Sequence, residues 1–329
     1  MTIVTELIDS FPIDDTVRRI QRDEKLLLTK PEAGKMKLWR DYDLLSAHTF
    51  PANHIPSTFA PPLDVYISDY VRIEWQTMKD FRQPFYHRNA DVDEISYHIC
   101  GERTLMTENG SVDLEPGDFV RIPVTVAHDN HGVEDIHLLF YMIGPVAECV
   151  SPTKTAEYKN PPFPGWKAKP VIIDMMTECL GAMGCDLSVS LTDEAMLLEL
   201  AKTDSGSIHV LRASPNSAET QWLYKTALVW LGITTQSSAT GEVYRRHRRA
   251  DEIQCQVKGH RTLVTQRGTI QLEAGDFTSI PLGTAFTDIV HEESTHISVL
   301  TRWPANPKRE FSKTASETSH EHVVQLRKG

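Results

Sequence analysis

Short runs that partly alternate between apolar and polar residues fill the middle of the chain. The segments DEISYHICG (residues 93–101), RTLMTENG (103–110) and SVDLEPGDFVRIP (111–123) are punctuated by Glu-Asn-Gly and Glu-Pro-Gly turns. A period of two is typical of β-strands with one buried face. The pattern predicts an all-β architecture of short strands, of which the double-sheet jelly roll is an example.

The same unit occurs twice. Residues 93–128 align without a gap on residues 251–286, and 17 of the 36 positions are identical. A shared spacing of this length indicates two copies of one architectural unit. We therefore predict two tandem barrels at 65–150 and 219–304. An N-terminal arm (1–64) precedes them, a connector (151–218) joins them, and a polar tail (305–329), expected to be only partly ordered, follows.

A few helices are predicted outside the barrels. One lies near residues 15–27 of the N-terminal arm. Another is predicted in the connector at DEAMLLELAK (193–202), with Thr192 as its N-cap. The predicted fold class is therefore all-β, with two tandem barrels and short helices in the arm and the connector.

Composition narrows the classes of partner. The length of 329 residues fits two domains of ordinary size. A net charge of −11 argues against nucleic acid or an anionic membrane as partner, and there is no run of eighteen apolar residues. The acidic N-terminal segment does not resemble a signal peptide. Five cysteines without Cys-x-x-Cys spacing indicate reduced thiols, so a cytoplasmic location is expected.

Three residues of the first barrel have the spacing of metal ligands. The orders His87-x6-Glu94-x6-Gly101 and Gly117-x5-Pro123-x4-His128 resemble the two signatures of the cupin family. Asn89 stands at the second histidine position of the first signature. Thr125, two residues after Pro123, stands at the usual glycine position of the second. Two neutral imidazoles and one carboxylate with open positions form the ligand set that non-haem Fe(II) uses.

The second barrel lacks most of this pattern. The positions aligned with His87, Asn89 and His128 hold Arg245, His247 and Phe286, and only Glu252 is retained of the three ligands. One histidine and one carboxylate bind a metal weakly, so barrel two is predicted to be structural. A remnant site built from His247, Glu252 and His291 or His296 is the alternative.

The alternation of side chains along a strand suggests further residues near the three candidate metal ligands. If Glu94 points into the barrel, Ser96 and His98 do so too, and Asn130 shares the parity of His128. His98 is a candidate general base or substrate contact, with an ordinary buried, hydrogen-bonded histidine as the alternative. Tyr86 is a candidate for an apolar wall of the site or for core packing.

The segment FRQPFYHRNADVDE (81–94) adds a closer resemblance. It is similar to the iron-binding segment of homogentisate 1,2-dioxygenases, and hydroquinone 1,2-dioxygenase large subunits share the His-x-Asn-x3-Glu pattern. The resemblance implies that His87, Glu94 and His128 bind one Fe(II) per chain, with another divalent metal possible, and that Asn89 lies beside them as a catalytic-site residue. This chain has one extra residue between Asn89 and Glu94, and its complete site is in the first barrel rather than the C-terminal one.

The resemblance implies a ring-cleaving dioxygenase. Its substrates would be O2 and a small hydroxylated aromatic of the hydroquinone, homogentisate or gentisate type. The alternatives are a non-redox metal-dependent isomerase, hydrolase or lyase, and a non-catalytic barrel protein that binds a small molecule. A homo-oligomer, most simply a dimer, is expected because open jelly rolls have edge strands that need cover.

Overall fold

The computed structural model describes residues 2–13, 16–30, 43–51, 61–180, 185–215, 217 and 219–328. The strands of the described residues, numbered along the chain, are β1 (Ile3–Asp9), β2 (Arg18–Asp23), β3 (Ser46–Thr49), β4 (Leu63–Ile67), β5 (Val71–Met78), β6 (Phe81–Arg82), β7 (Phe85–Asn89), β8 (Asp93–Thr107), β9 (Gly110–Leu114), β10 (Asp118–Ile122), β11 (His128–Met142), β12 (Ala147–Glu148), β13 (Lys154–Thr155), β14 (Ile172–Glu178), β15 (Cys185–Thr192), β16 (His209–Arg212), β17 (Gln221–Lys225), β18 (Val229–Gln236), β19 (Ala239–Thr240), β20 (Val243–His247), β21 (Asp251–Lys258), β22 (His260–Thr265), β23 (Gly268–Glu273), β24 (Asp276–Ile280), β25 (Phe286–Val290), β26 (Ser294–Thr301), β27 (Asn306–Pro307) and β28 (Lys313–Thr314). The helices are α1 (Glu24–Leu28), α2 (Glu194–Glu199), which continues as a 3-10 turn at Leu200–Lys202, and α3 (His320–Leu326). None of the helices in these ranges is both long enough and apolar enough to cross a membrane.

The predicted all-β fold with two tandem barrels is confirmed. In barrel one the long strands β8 and β11 pair antiparallel, with β10 and β5 on their outer sides. Barrel two repeats this arrangement with β21 and β26 between β24 and β18. One buried apolar cluster contains side chains from both barrels, including Trp75, Phe140, Leu231 and Phe277. The two barrels therefore share a core.

Gly101 and Gly259 occupy equivalent sharp bends in the two copies. Both have positive φ angles, +83° and +66°. A Cβ atom on Gly101 would lie 2.2 Å from the carbonyl oxygen of Glu134, and one on Gly259 would lie 2.1 Å from that of Glu293. Only glycine tolerates both the backbone angle and the close approach, which explains why the two copies share it.

The N-terminal arm and the connector each add strands to one of the two barrels. In the N-terminal arm, β1 pairs in parallel with β20 and β3 pairs with β24, so the arm belongs to barrel two. In the connector, β14 pairs in parallel with β7 and β16 pairs with β10, so the connector belongs to barrel one. The arm therefore completes the barrel that is distant from it in sequence, and the connector completes the barrel that it follows.

Two buried glutamates hold the connector and the N-terminal arm against their barrels. Glu194, in the first turn of α2, accepts a hydrogen bond of 3.1 Å from the Tyr86 hydroxyl and also binds Arg82. Glu24, in the first turn of α1, accepts one of 2.8 Å from the Tyr244 hydroxyl. Tyr86 and Tyr244 are aligned positions of the two copies. The anchor is therefore part of the repeated unit.

The helix predictions need correction. The helix of the arm covers Glu24–Leu28 only, because residues 18–23 form strand β2; residues 14 and 15 lie outside the described residues. Helix α2 is capped by Asp193 rather than Thr192, since the Asp193 carboxylate accepts from the Met196 amide. The tail is more ordered than predicted: it forms β27, β28 and α3 through pairing with β4 and β3 and packing beside α1.

Strand β15 is the exposed member of the β14–β15 hairpin. Among the described residues it pairs only with β14. Val189 and Leu191 share one face of it by strand alternation, and Leu187 lies at a shift in the pairing register; each of the three is more than half exposed. This ribbon is the kind of apolar edge that favours strand pairing with another chain.

Candidate metal centre

The three predicted ligands come together on neighbouring strands of barrel one. His87 lies on β7, Glu94 at the start of β8 and His128 at the start of β11. β7 and β11 pair at the His87–His128 position, so the two imidazoles face each other across the ladder, with ring centroids 5.4 Å apart. One ligand atom of each of the three side chains lies within 4.8 Å of the others. The separation suits one ion bound by all three.

Local hydrogen bonds orient the ligands. The His128 Nδ1–H donates to the Val126 carbonyl oxygen at 3.1 Å, which leaves Nε2 as the ligand atom, 3.3 Å from Glu94 Oε2. A backbone carbonyl that fixes the tautomer in this way is a frequent partner of metal-binding histidines.

Asn89 holds the carboxylate from behind. Its amide nitrogen donates to Glu94 Oε2 at 3.1 Å, and its amide oxygen accepts from the Cys179 thiol at 3.0 Å. Both ends of the amide are thus engaged with protein groups. This geometry places Asn89 as a group that positions Glu94 rather than as a fourth ligand.

The protonation states suit metal binding. Burial by itself raises the pKa of Glu94, but His128, His87 and the Asn89 amide outweigh it and hold the pKa at about 2. Burial, together with the nearby His128, lowers the pKa of His87 to about 4. Burial opposes protonation of His128 too, yet the Glu94 carboxylate outweighs it and raises that pKa. An ionised carboxylate and neutral imidazoles are the forms that bind a metal, so the donor set fits a divalent ion that displaces the His128 proton.

The ligands open onto a cavity of about 290 Å³. Its apolar wall comes from Phe85, Leu139 and Met175. Polar side chains face the same space from several strands: Arg72, Glu74, Gln76, Gln83, Asn130, Tyr141 and Thr177. A cavity of this kind, apolar with a few convergent polar groups, is typical of a small-molecule site.

Glu74 is the carboxyl group with the most perturbed titration in this cavity wall. It is buried, and burial raises its pKa to about 8 although the paired Arg72 guanidinium favours the ionised form. Asp64, bonded to the same guanidinium at 2.8 Å, adds to the rise, while the Tyr141 hydroxyl opposes it. A carboxyl group that titrates near neutral pH in a cavity is a candidate acid or base.

The other residues predicted for the site divide in two groups. Asn130 lines the cavity. Tyr86 does not: it lies on the opposite face of β7 from His87 and bonds to Glu194, so of its two interpretations the structure favours core packing. Ser96 accepts from Arg103 at 2.7 Å and is outside the cavity lining.

His98 is also outside the cavity lining. Its Nδ1 lies 3.0 Å from Asp135 Oδ1 and its Nε2 lies 3.0 Å from the Gly101 carbonyl oxygen. Asp135 in turn bonds to His137 at 2.7 Å, and His137 bonds to Gln76 at 3.1 Å, which does line the cavity. The geometry favours the buried, hydrogen-bonded histidine over direct contact with a substrate.

Several cavity residues were missed from the sequence. Arg72, Glu74 and Gln76 alternate with apolar residues along β5, and that polar parity was a usable signal for an inward-facing row. Met175 and Thr177 come from β14, which the sequence assigned to the connector; no local pattern ties that strand to β7. The Asp-Glu-x-x-Leu-Leu sequence at 23–28 and again at 193–198 was a signal that arm and connector are equivalent.

Barrel two has a different set of contacts at the aligned positions. His247 Nε2 lies 2.8 Å from Glu252 Oε2, and Gln254 donates to Oε1 at 2.9 Å. Within the described ranges, His87, Glu94 and His128 form the one group of three side chains close enough to bind a metal. The alternative site with His291 or His296 is therefore not formed there.

No protein-family model and no curated protein matches this chain. Solved structures do align with it. A cupin 2 conserved barrel domain protein from Leptotrichia buccalis has 10% identity and a TM-score of 0.46, and the match covers 75% of this chain and 92% of that one. A variant of oxalate decarboxylase from Bacillus subtilis has 13% identity and a TM-score of 0.47 over 90% and 89% of the two chains. AerE from Microcystis aeruginosa has 12% identity and a TM-score of 0.40 over 74% and 98%.

Proposed function

We propose that this protein is a non-haem Fe(II)-dependent dioxygenase that cleaves the ring of a small hydroxylated aromatic. The observation that carries the proposal is the two-histidine, one-carboxylate face that opens on a partly apolar cavity of about 290 Å³. Such a face leaves coordination positions open for substrate and O2. His87, Glu94 and His128 would hold the ion, and Fe(II), when bound, supplies the redox chemistry that O2 needs.

The cavity wall supports an aromatic substrate. Phe85, Leu139 and Met175 offer apolar surface on which a flat ring packs. Asn130 and Gln83 offer amide groups that orient hydroxyl substituents by hydrogen bonds. In this proposal the apolar side chains exclude water and the amides select the pattern of substituents.

Glu74 is proposed to move the substrate proton. A phenol must lose its proton to become a good ligand, and a carboxyl group with a pKa of about 8 accepts one near neutral pH at small cost. Arg72, paired with Glu74, keeps the carboxylate in the wall of the cavity and stabilises the charge that develops beside it.

The test is anaerobic reconstitution with Fe(II), followed by hydroquinone, gentisate and homogentisate in turn under air. The expected result is O2 consumption with about one molecule per turnover and new near-ultraviolet absorbance from a ring-fission product. His128→Phe is the matched inactive control, because the same fold carries phenylalanine at the aligned position 286. Nitrogen-rich sites prefer zinc and copper over iron, so metal content is measured in every sample.

Three outcomes would overturn the proposal. Reconstituted protein that consumes no O2 with a broad panel of phenols, enolic diketones and flavonols is not a dioxygenase. Turnover without O2 when Zn, Mn or Ni is bound would identify a non-redox isomerase, hydrolase or lyase. Tight binding of a small molecule without turnover would identify a binding protein.

A further inference from the structure

Barrel two encloses a cavity of its own, although it lacks the ligand triad. The cavity has a volume of about 390 Å³ and is lined by Arg245, His247, Glu252 and Phe286. These four residues are aligned with His87, Asn89, Glu94 and His128. The second copy therefore changed the chemistry of its site and kept the space open.

Glu252 is satisfied by protein groups. Its two oxygens accept from His247 at 2.8 Å and Gln254 at 2.9 Å. Burial raises the pKa of Glu252, but these two partners outweigh it and hold the pKa at about 2. The carboxylate is thus paired at the base of the cavity, and it acts there as a fixed support rather than as a metal ligand.

Arg245 brings an available cation into the same space. It replaces a metal-binding histidine, and 34% of its side chain is exposed. Its ion-pair partner among the described residues is Glu219, 3.9 Å away and 84% exposed, and such a pair contributes little. A guanidinium with free donors binds a carboxylate through two parallel hydrogen bonds.

His296 is a second, independent indication of a ligand. It lines the cavity and is only 4% exposed. Its backbone is paired in β26, but its imidazole makes no hydrogen bond with a side chain or backbone group of the described residues. Burial and the nearby Arg261 lower its pKa to about 4, so the imidazole is neutral and offers one donor and one acceptor. Buried polar groups are normally paired, and this one faces an open cavity.

The rest of the wall is suited to an apolar body. Leu7, Ile13, Trp222, Val243 and Phe286 contribute apolar surface. Leu7 and Ile13 come from the N-terminal arm, so the arm forms part of this cavity. The charged residues Arg19 and Glu242 also line it, and Asp288 does so while paired with Arg261.

We propose that barrel two is a second ligand site, which binds a small organic carboxylate with its carboxylate on Arg245 and its apolar or aromatic body against Trp222 and Phe286. His296 binds a polar substituent of that ligand. The inference does not depend on the reaction proposed for barrel one.

The experiment is calorimetric titration of the full chain carrying His128→Phe, which disables the metal centre. The probes are benzoate, phenylacetate and hexanoate, with benzyl alcohol as the uncharged aromatic control. We expect saturable binding of at least one carboxylate, with one site per chain. Benzyl alcohol should bind at least about tenfold more weakly than that carboxylate, because it cannot make the charge-assisted hydrogen bonds. Arg245→Met should weaken carboxylate binding by about tenfold or more, and Arg245→Lys by less, since it keeps the charge.

Arg302→Met, which removes an exposed arginine outside the cavity, is the control for general charge effects. Thermal unfolding of each variant establishes that it is folded. The proposal is overturned if none of the three carboxylates binds to the folded protein. It is also overturned if benzyl alcohol binds as tightly as benzoate and Arg245→Met leaves that binding unchanged.

Discussion

Replacing Asn89 by alanine should weaken metal binding without removing a metal ligand. The Asn89 amide donates to the same Glu94 oxygen that lies 3.3 Å from His128 Nε2, so it holds the carboxylate in the position for coordination. A hydrogen bond to a charged group contributes about 1.5–3 kcal/mol. Because each 1.4 kcal/mol is a factor of about ten, the expected loss in metal affinity is about 10- to 100-fold, the usual range for groups behind a metal ligand.

The affinity is measured by competition between the metal-free protein and a fluorescent chelator, with Mn(II) and with Co(II). The visible spectrum of the Co(II) form reports the ligand set, and it should keep its shape in Asn89→Ala because the three ligands are unchanged. Asn109→Ala, which alters a half-buried turn asparagine of the same barrel that bonds to Ser207, should bind like the wild type. Wild-type affinity in Asn89→Ala would refute the positioning role. Complete loss of metal with a changed Co(II) spectrum would show that Asn89 is itself a ligand.

The remaining predictions concern the second barrel, pH and assembly. Glu252→Gln should leave metal content and turnover within a few-fold of the wild type, and loss of metal from the folded variant would show that barrel two holds the ion. If Glu74 is the base, kcat/KM should rise as the pH passes about 8, because the carboxyl group ionises there. Glu74→Gln should lower the rate and abolish this rise with pH. A rise that persists in Glu74→Gln would exclude Glu74 as the base. Folding raises the pKa of Glu74 from 4.5, so the protonated group stabilises the fold at low pH. That contribution is lost as the pH rises through about 8. Glu74→Gln should therefore flatten the dependence of the unfolding free energy on pH, measured by chemical denaturation. We propose that two copies pair through β15; light scattering should then give twice 37.2 kDa, with Val189→Lys returning the monomer mass, and a monomeric wild type would refute this.

The sequence was sufficient for the fold class and for the convergence of three side chains close enough to bind one ion, because both depend on local order. His87, Glu94 and His128 lie in fixed positions of a repeated strand pattern, so their spacing alone predicts their convergence. The sequence was insufficient to predict which residues line the cavity. Met175 reaches the centre through the parallel pairing of β14 with β7, a contact between distant segments that no local pattern encodes.

The alternation of side chains along a strand does not by itself decide which side chains reach the cavity; their contacts do. Asn130 shares the inward face with His128 and does line the cavity. Ser96 and His98 share the parity of Glu94, yet Arg103 and Asp135 bind them away from it. A period of two identifies the face of a strand, and the depth at which a side chain meets the ligand depends on its partners.

Because the arm pairs with barrel two across the whole length of barrel one, a single cut in the chain between the two barrels cannot separate them intact. A recombinant that ended at residue 150 would carry β7 without its neighbour β14, and would carry β1 without its partner β20. During synthesis on the ribosome, β1 emerges first and must wait for more than 200 residues before β20 is available to pair with it. Arg245 and His247 lie on β20 itself, opposite Leu7 and Asp9 of β1, so the positions at which barrel two differs from barrel one belong to the strand that holds the arm. The hydrogen bond between Tyr244 and Glu24 adds to the backbone pairing that ties the first residues of the chain to its last barrel.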